Sequence, residues 1–568
     1  MLKFDVRSIL FLPLWAACLD SEPPVTYAAE LAELTAVSAT IDAVATHYEV
    51  QLDLNNAGLR VDVTLRAQTA GDCVSVPMRI QATRVAINGV ETTRVTVDNN
   101  VMTACDPAGV GYAAGTDVVL AVIGQEPIGT VQGTDIGFKF HGDVNTTQYA
   151  YMLSWVQGCD LHGPCDTRPA TFASYHFGVT HPANYQVLCP GTVTRSSATF
   201  TDCRFDFWGP SYSTHGLVAR SPAWTESTLG TSAGVTLKLY TGNDTAIAQQ
   251  LDVTAISGSF AWLANTFGAY PYGNELRIVN APTVWQGFEH PGLVVLQSEL
   301  TSQDVNYVND LRHVAIHELA HQWAGNQATL AGTYDFVWKE AMAEYLTYVY
   351  EDQALSPNVG AASRRSWKNA AAGASYFPVP MDRPQLLEYF GDAYGAGPMV
   401  LFRQLEVMFG RAAVLNGIRA LIGSGTPRAW SIADVQAALS QAVGADLTTY
   451  FNSWVYGSGS PAWPTATAEF AETAPGSQTW SVHVNVTSVS NGTPPGCAFH
   501  VRLWDATRSA WADVGFNNGA NGGEYAPSAP LMLRFTPASA EVDPDDECLV
   551  YDASVPMQSR FVARPMIF

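Results

Sequence analysis

The run VAIHELAHQWAGN, from Val314 to Asn326, contains residues whose types and spacing could hold a metal ion. His317 and His321 are four residues apart, so on a helix both imidazoles lie on one face and can reach one ion. Glu318 follows the first His and would lie beside the open coordination position, where a water molecule binds. The pattern predicts one Zn2+ ion, with Glu318 as the general base that takes a proton from the water.

A third ligand is expected from Glu340, which follows His321 after 18 intervening residues and opens another helical run, AMAEYLTYVYED. Apolar residues around the two His predict a buried helix, and buried ionisable groups are costly unless they are paired or bind metal. The alternative is a helix with two His and a Glu that binds no metal. Glu344 lies one turn after Glu340, where it either orients His317 or His321 or faces solvent.

These motifs resemble the aminopeptidase N-like gluzincins, a family of zinc metallopeptidases. HELAHQW, the Gly325-Asn326 pair and the distance from His321 to the third ligand all fit that family. In WQGFEHPGLVVL, Glu289 falls at the Glu of the family's G-x-M-E-N motif, and Tyr394 with Gly397 fits its Y-x-x-G pattern. The resemblance extends from about residue 48 to residue 461 and is densest between residues 285 and 410.

The resemblance implies roles for four further positions. Glu289 would anchor the free α-amine of a peptide substrate, with Gly287 and Phe288 beside it in the substrate pocket. Tyr394 would donate a hydrogen bond to the tetrahedral oxyanion. The alternatives are a solvent-facing carboxylate at a loop end for Glu289 and a packed aromatic residue before a glycine turn for Tyr394.

This sequence departs from the family pattern at several positions near the ligands. Phe288 replaces the usual Met and His290 the usual Asn, while Lys339 and Ala341, on either side of the third ligand, replace Asn and Gly. None of these changes removes a ligand or the base, so they affect substrate preference more than chemistry.

Three functions remain open on this sequence. The first is an aminopeptidase whose partners are peptides with a free N-terminus, the second a zinc endopeptidase with an open cleft, and the third a non-catalytic surface protein that binds through the same scaffold. The 568-residue chain has 52 acidic and 29 basic residues and a net charge of −23, which argues against a nucleic-acid partner. The sequence gives no signal for the oligomeric state.

Residues 1–20 predict an export signal. Lys3 and Arg7 supply positive charge, Ile9 to Leu14 form a short apolar core, and LWAAC ending at Cys18 resembles a bacterial lipobox. The protein is therefore expected to be either a cell-envelope lipoprotein, anchored to a membrane through Cys18, or a freely secreted protein.

Cysteine usage also indicates export. Apart from Cys18 there are eight cysteines, an even number that can pair in an oxidising compartment. Pairing of sequence neighbours predicts the disulfides 73–105, 159–165, 189–203 and 497–548. Buried free thiols are the alternative.

The patterns of strands and helices predict a multidomain α+β protein. After a signal segment (1–22) and a tether (23–45), alternating apolar and polar residues predict an N-terminal antiparallel β-sandwich-like domain (46–205). Strands followed by several helices predict a thermolysin-like zinc metallopeptidase domain (206–456). A small β-sandwich (457–568) follows the GSGSP turn. No large helical C-terminal domain is expected, so either the cleft is more open or another chain covers it.

Overall fold

The computed structural model describes residues 39–142, 147–302, 310–392, 398–423, 425–487, 496–516, 523–525 and 529–554. The predicted lipid anchor Cys18 and the predicted oxyanion donor Tyr394, with Gly397, lie outside these residues. The predicted mixed α+β class is confirmed.

The first part of the chain consists mainly of strands. They are β1 (Thr40–Ile41), β2 (Ala43–Asp53), β3 (Gly58–Ala67), β4 (Cys73–Pro77), β5 (Ala82–Ile87), β6 (Val90–Glu91), β7 (Val95–Asp98), β8 (Val101–Cys105), β9 (Asp117–Gln125), β10 (Gly129–Thr130), β11 (Gly137–Gly142), β12 (Gln148–Leu153), β13 (Phe172–Thr180), β14 (Gln186–Leu188), β15 (Thr192–Ser196), β16 (Phe200–Pro210) and β17 (Gly216–Ser221).

These strands form three sheets, in the orders β15-β16-β13-β2-β3-β9-β5-β6, β1-β4-β8-β7 and β10-β11-β12-β17-β14. The alternation that predicted β2, β3 and β9 places every second residue of those strands in the core. Pairing is mostly antiparallel, as predicted, but β13 lies parallel to β2 and β1 parallel to β4. The predicted domain limit at residue 205 falls inside β16, and β17 still pairs with β12.

All four predicted disulfides are present, at 73–105, 159–165, 189–203 and 497–548. Three of them close short stretches of the first 221 residues, and the fourth lies in the C-terminal strands. Within the described parts of the chain, no helix is both long and apolar enough to cross a membrane.

The middle of the chain combines a five-stranded sheet and two two-stranded sheets with most of the helices. Its strands are β18 (Thr225–Ser232), β19 (Val235–Thr241), β20 (Glu275–Ala281), β21 (Gly287–His290), β22 (Leu293–Gln297), β23 (Ala328–Leu330), β24 (Val379–Pro380), β25 (Arg428–Trp430) and β26 (Tyr456–Gly457). The helices are α1 (Ser211–Thr214), α2 (Ile247–Gln250), α3 (Val253–Phe267), α4 (Leu311–Ala320), α5 (Val337–Tyr350), α6 (Pro357–Ala372), α7 (Leu386–Phe390), α8 (Val400–Phe409), α9 (Arg411–Ile422), α10 (Ile432–Val443) and α11 (Thr448–Trp454).

The main sheet of this part has the order β18-β19-β20-β22-β21, which puts β21 at one edge. Helix α4 packs against the strands β21 and β22 and against the helices α3 and α5. A capping box at Ser431 begins α10, and Gly268 ends α3.

Helix α4 differs from its predicted extent of 314–326. It begins earlier, because the Asp310 side chain accepts a hydrogen bond from the backbone N–H of Arg312 at 3.0 Å. It ends at Ala320, and the next turn tightens through bonds such as Trp323 N–H to the Ala320 carbonyl (3.1 Å). Gly325, at φ 144°, then turns the chain away, a conformation that glycine adopts without strain.

The last described part returns to strands. They are β27 (Thr465–Glu472), β28 (Thr479–Val486), β29 (Cys497–Trp504), β30 (Ser509–Phe516), β31 (Gly523–Tyr525), β32 (Leu531–Met532), β33 (Ser539–Val542) and β34 (Tyr551–Asp552). They form two sheets, β31-β28-β27-β34 with β32 added to β28, and β30-β29-β33. This is the expected small β-sandwich.

Candidate active site

Helices α4 and α5 bring three metal-binding side chains together. The His317 Nε2 and His321 Nε2 atoms lie 3.4 Å and 3.1 Å from the same oxygen, Oε2 of Glu340. Glu340 is in the first turn of α5, which packs against α4. A tetrahedral zinc ion with ligand bonds of 2.0–2.1 Å has neighbouring ligands about 3.3 Å apart. Two imidazole nitrogens and one carboxylate oxygen at this spacing therefore fit a zinc ion.

The other nitrogen of each ring is already engaged by the protein. His321 Nδ1 lies 2.8 Å from the carbonyl oxygen of Ala324, which can only accept, so Nδ1 carries the hydrogen. His317 Nδ1 lies 2.8 Å from Oε1 of Glu344. Both Nε2 lone pairs are thereby directed to the space beside Glu340, as a metal site requires.

Glu344 is fully buried rather than facing solvent. Its Oε2 accepts the Trp367 indole N–H at 2.8 Å and lies 3.2 Å from His313 Nε2. On its other side, His313 lies 3.1 Å from buried Glu351. Although burial raises the pKa of Glu344, His313 and His317 outweigh it and hold that pKa well below its usual range. Glu344 is therefore a fixed, ionised carboxylate behind His317.

Glu318 lies where α4 meets the edge strand β21. Its carboxylate is in close contact with Gly287, where an added Cβ atom would lie 2.1 Å from Glu318 Oε1. Only a glycine leaves room for this side chain. Burial, with further contributions from Glu289 and Glu340, raises the pKa of the Glu318 carboxyl to about 8.

One pocket contains the predicted base, the three candidate ligands and the predicted substrate residues. Its lining residues are Trp155, Trp285, Gly287, Phe288, Glu289, His317, Glu318, His321, Glu340 and Phe390. Four aromatic rings form its wall: Trp285 stacks on Phe288 with 5.4 Å between ring centroids, and Phe390 lies 4.1 Å from Trp155 and 4.9 Å from Trp285. The wall is buried and apolar, so it suits an apolar group.

Glu289 lines this pocket, but it is already paired with a cation. Lys339 Nζ lies 2.8 Å from Oε1 of Glu289 and 2.5 Å from Oε1 of Glu340. The Lys339 side chain is 1 % exposed. Burial opposes its charge, but Glu289 and Glu340 outweigh burial and raise the pKa of Lys339, and Lys339 in turn lowers the pKa of Glu289.

Two residues of the HELAHQW-GN stretch hold the edge strand by its backbone. The side-chain amides of Gln322 and Asn326 donate to the Glu289 carbonyl, at 3.1 Å and 2.5 Å. Asn326 in turn accepts the Ser213 hydroxyl at 2.8 Å. The motif residues beyond the ligands therefore position β21 against α4.

Sequence reasoning missed several residues of the site. In the sequence, Lys339 stands out as a departure from the family pattern, and a cation beside a predicted ligand is a signal for an ion pair at the site. His313 precedes His317 by one helical turn, and this spacing is also a signal in the sequence that His313 lies near the site. Trp155 and Phe390 come from distant parts of the chain, and nothing in their local sequence marks them as pocket residues.

Comparison with known proteins locates a family domain over this site. Residues 252–454 match the peptidase family M1 domain. Aminopeptidase N of Streptomyces lividans is 25 % identical over 233 residues, and aminopeptidase N of Escherichia coli (strain K12) is 24 % identical over 247 residues. The alignments cover 37 % and 40 % of this chain and 27 % of each relative, so the chain matches about a quarter of the length of these curated relatives.

Solved structures share the fold at low sequence identity. Legionella pneumophila aminopeptidase A, in complex with aspartic acid, has a TM-score of 0.68 at 12 % identity. The match covers 90 % of this chain and 60 % of the Legionella chain. A mutant M1 zinc metallopeptidase from Deinococcus radiodurans, bound to a Tyr-Ser-Ala substrate, has a TM-score of 0.61 at 19 % identity. The match covers 74 % of this chain and 95 % of the metallopeptidase. The two His and the Glu of the metal cluster lie inside residues 252–454, the segment of this chain that is similar to the peptidase family M1 domain.

Proposed function

We propose that the protein is a zinc-dependent aminopeptidase that removes residues from the N-terminus of peptides. The observation that carries the proposal is the convergence of His317, His321 and Glu340 with Glu318 in one pocket, which also contains Glu289. The M1 zinc metallopeptidase of similar fold from Deinococcus radiodurans binds a Tyr-Ser-Ala substrate, which supports a short peptide as the ligand class.

In this proposal His317, His321 and Glu340 hold a single Zn2+ ion. When bound, the ion supplies a Lewis acid that polarises the scissile carbonyl and makes water more acidic. Glu318 takes a proton from the attacking water and returns it to the leaving amine. Glu318 lines the same pocket as the three candidate ligands, as this task requires.

The remaining residues orient the reactants. Glu344 lies 2.8 Å from His317 Nδ1, and this contact favours the ring orientation in which Nε2 faces the site. Glu289 accepts a hydrogen bond from the α-amine of the substrate, while Phe288 and the aromatic wall contact the first side chain. Tyr394, which the structure does not describe, is proposed as the donor to the oxyanion.

The proposal is tested with a panel of aminoacyl p-nitroanilides that differ in side chain. Zinc-loaded protein should hydrolyse at least one of them, a chelator should abolish hydrolysis, and added Zn2+ should restore it. Glu318→Gln should retain one zinc per chain and lose about 100- to 10,000-fold in kcat. The absence of hydrolysis of every panel member and of unlabelled peptides by zinc-loaded protein would contradict the proposal.

We also propose that the protein is exported. The four disulfides support an oxidising compartment, where such bonds persist. The lipid anchor through Cys18 is tested by Cys18→Ser, which should move the protein from the membrane fraction to the soluble fraction if the cysteine is acylated. An unchanged soluble distribution would favour free secretion.

A further inference from the structure

Lys339 is a buried cation at the place where a peptide N-terminus would be recognised. Its ammonium bridges Glu289 of the edge strand and Glu340 of α5, at 2.8 Å and 2.5 Å. The residue itself is fully buried, and it is next to the third candidate metal ligand in the chain. A buried Lys requires such carboxylate partners, so this contact is part of the folded structure.

We propose that Lys339 is a specificity-determining residue that neutralises Glu289, so that the enzyme accepts peptides with acylated N-termini about as well as peptides with a free α-amine. The inference rests on the proposed hydrolase function. It changes the substrate class, because an aminopeptidase with an unpaired anchor carboxylate would select strongly for the free amine.

The charges around the pocket carry the argument. Among the described lining residues the acids are Glu289, Glu318 and Glu340, and the remaining wall is aromatic or is formed by the two His and a glycine. Glu340 faces Lys339 with one oxygen and the candidate metal position with the other. Glu318 is reserved for proton transfer in the proposed mechanism.

An α-ammonium entering this pocket would therefore meet a carboxylate that already contacts the ammonium shared with Glu340, beside the position that would hold a divalent cation. In a site of low dielectric constant, the net charge decides whether a second cation is attracted. An acylated nitrogen carries no charge and can still donate its N–H to Glu289. Acylation of the substrate should therefore cost little binding free energy. The same tolerance is what an endopeptidase needs, because the nitrogen before an internal bond is also acylated.

The test compares an aminoacyl p-nitroanilide that the enzyme hydrolyses with its N-acetylated form. For the wild type, kcat/KM should differ by less than about tenfold between the two. Lys339→Met keeps the aliphatic stem but removes the charge. This variant should raise the ratio of free-amine to acetylated kcat/KM by about tenfold or more, because Glu289 is then an unbalanced anion.

Two further variants, together with Lys339→Met, form a double-mutant cycle. Glu289→Gln leaves the Lys339 charge without its pocket-side partner, so it should lower kcat/KM for the free amine more than for the acetylated substrate. The double variant, with both changes, should return the ratio to near the wild-type value. If Lys339→Met does not fold, Lys339→Gln takes its place, and the Glu289→Gln arm tests the inference in the intact Lys339 background.

A binding measurement separates recognition from catalysis. Calorimetry with L-leucinamide and N-acetyl-L-leucinamide, on zinc-loaded proteins of measured zinc content, should show similar affinities for the wild type and a preference for the free amine in Lys339→Met. A wild-type preference for the free amine above about 100-fold, or an unchanged ratio in Lys339→Met, overturns the inference while leaving the proposed hydrolase intact. Hydrolysis of neither substrate class overturns both.

Discussion

At the scale of single residues, the candidate metal site depends on what lies behind its ligands. Each His has one nitrogen fixed by the protein, through Ala324 O or Glu344, and this decides which nitrogen faces Glu340. Glu344 is in turn fixed by Trp367 and His313. A ligand ring held on both sides loses little freedom when an ion binds, which favours tight binding.

Replacing Glu344 with Gln should weaken zinc binding by about 10- to 100-fold, because a neutral amide interacts more weakly with His317 Nδ1–H than a carboxylate does. Competition with a chromogenic chelator measures the change. Glu351→Gln is the matched control, since Glu351 contacts His313 and not a ligand. Equal zinc affinities in Glu344→Gln and wild type would show that Glu344 does not support the site.

At the scale of elements, the site is a junction of α4, α5 and the edge strand β21. The helices supply the candidate ligands, and the strand supplies Gly287, Phe288 and Glu289 to the pocket. The strand is held at the Glu289 carbonyl by two side chains that follow α4, Gln322 and Asn326. These two side-chain amides therefore help to hold Glu289 near Glu318, in addition to the packing of α4 against the sheet.

Asn326→Ala should lower the free energy of unfolding by about 1–3 kcal/mol, because it removes a buried donor to the Glu289 carbonyl and leaves the Ser213 hydroxyl without its acceptor. It should also lower kcat/KM, since β21 is released next to Glu318. Denaturant unfolding and steady-state kinetics check both effects. Ser213→Ala removes only the outer hydrogen bond and should have the smaller effect on activity; the reverse order would contradict this role for Asn326.

The large N-terminal sheet contains a pH-sensitive link between three strands. His176 of β13 lies 2.6 Å from Glu49 of β2 and 2.6 Å from Asp202 of β16. Burial lowers the pKa of His176, but the hydrogen bonds to both carboxylates outweigh it and raise the pKa above 6.5. The stabilisation of the fold by protonated His176 is therefore complete below the pKa of His176 in the unfolded chain. It is lost as the pH rises through the higher pKa of His176 in the folded protein.

His176→Gln should consequently lower the melting temperature more at about pH 6 than at about pH 8.5. The expected loss at the lower pH is about 1 kcal/mol or less, because the group is partly solvated. Thermal unfolding followed by circular dichroism at both pH values checks the difference. A gap between wild type and variant that is the same at both values, or larger at the higher one, would contradict the raised pKa.

At the scale of the whole molecule, the candidate metal site joins α4 to α5 in the middle of the chain. An ion that binds only the folded protein stabilises it by mass action, by about 2.7 kcal/mol at a concentration 100 times its dissociation constant. Removing zinc should therefore lower the melting temperature by about 2 °C or more, and added Zn2+ should restore it. His317→Ala, which lacks one candidate ligand, should show no such response; a melting temperature that ignores zinc in the wild type as well would argue against a metal site.

Local patterns in the sequence were sufficient for most of the individual elements. The alternation of apolar and polar residues predicted the strands of the N-terminal domain, among them β2, β3 and β9. The disulfide pairs were predicted because each joins cysteines that are neighbours in sequence. The end of α4 was predicted six residues too late, because the apolar pattern continues past Ala320 while the backbone turns at Gly325.

The sequence by itself determined the candidate ligands and the base, because helical geometry alone puts residues four apart on one face, and because the motif gives the distance to Glu340. Only the tertiary structure decided what surrounds them. Lys339 contacts Glu289 although the two residues are 50 positions apart in the sequence. Trp155 lines the pocket although it belongs to the N-terminal part of the chain. Contacts of this kind arise when separate elements pack together, and packing leaves no periodic trace in the residues on either side.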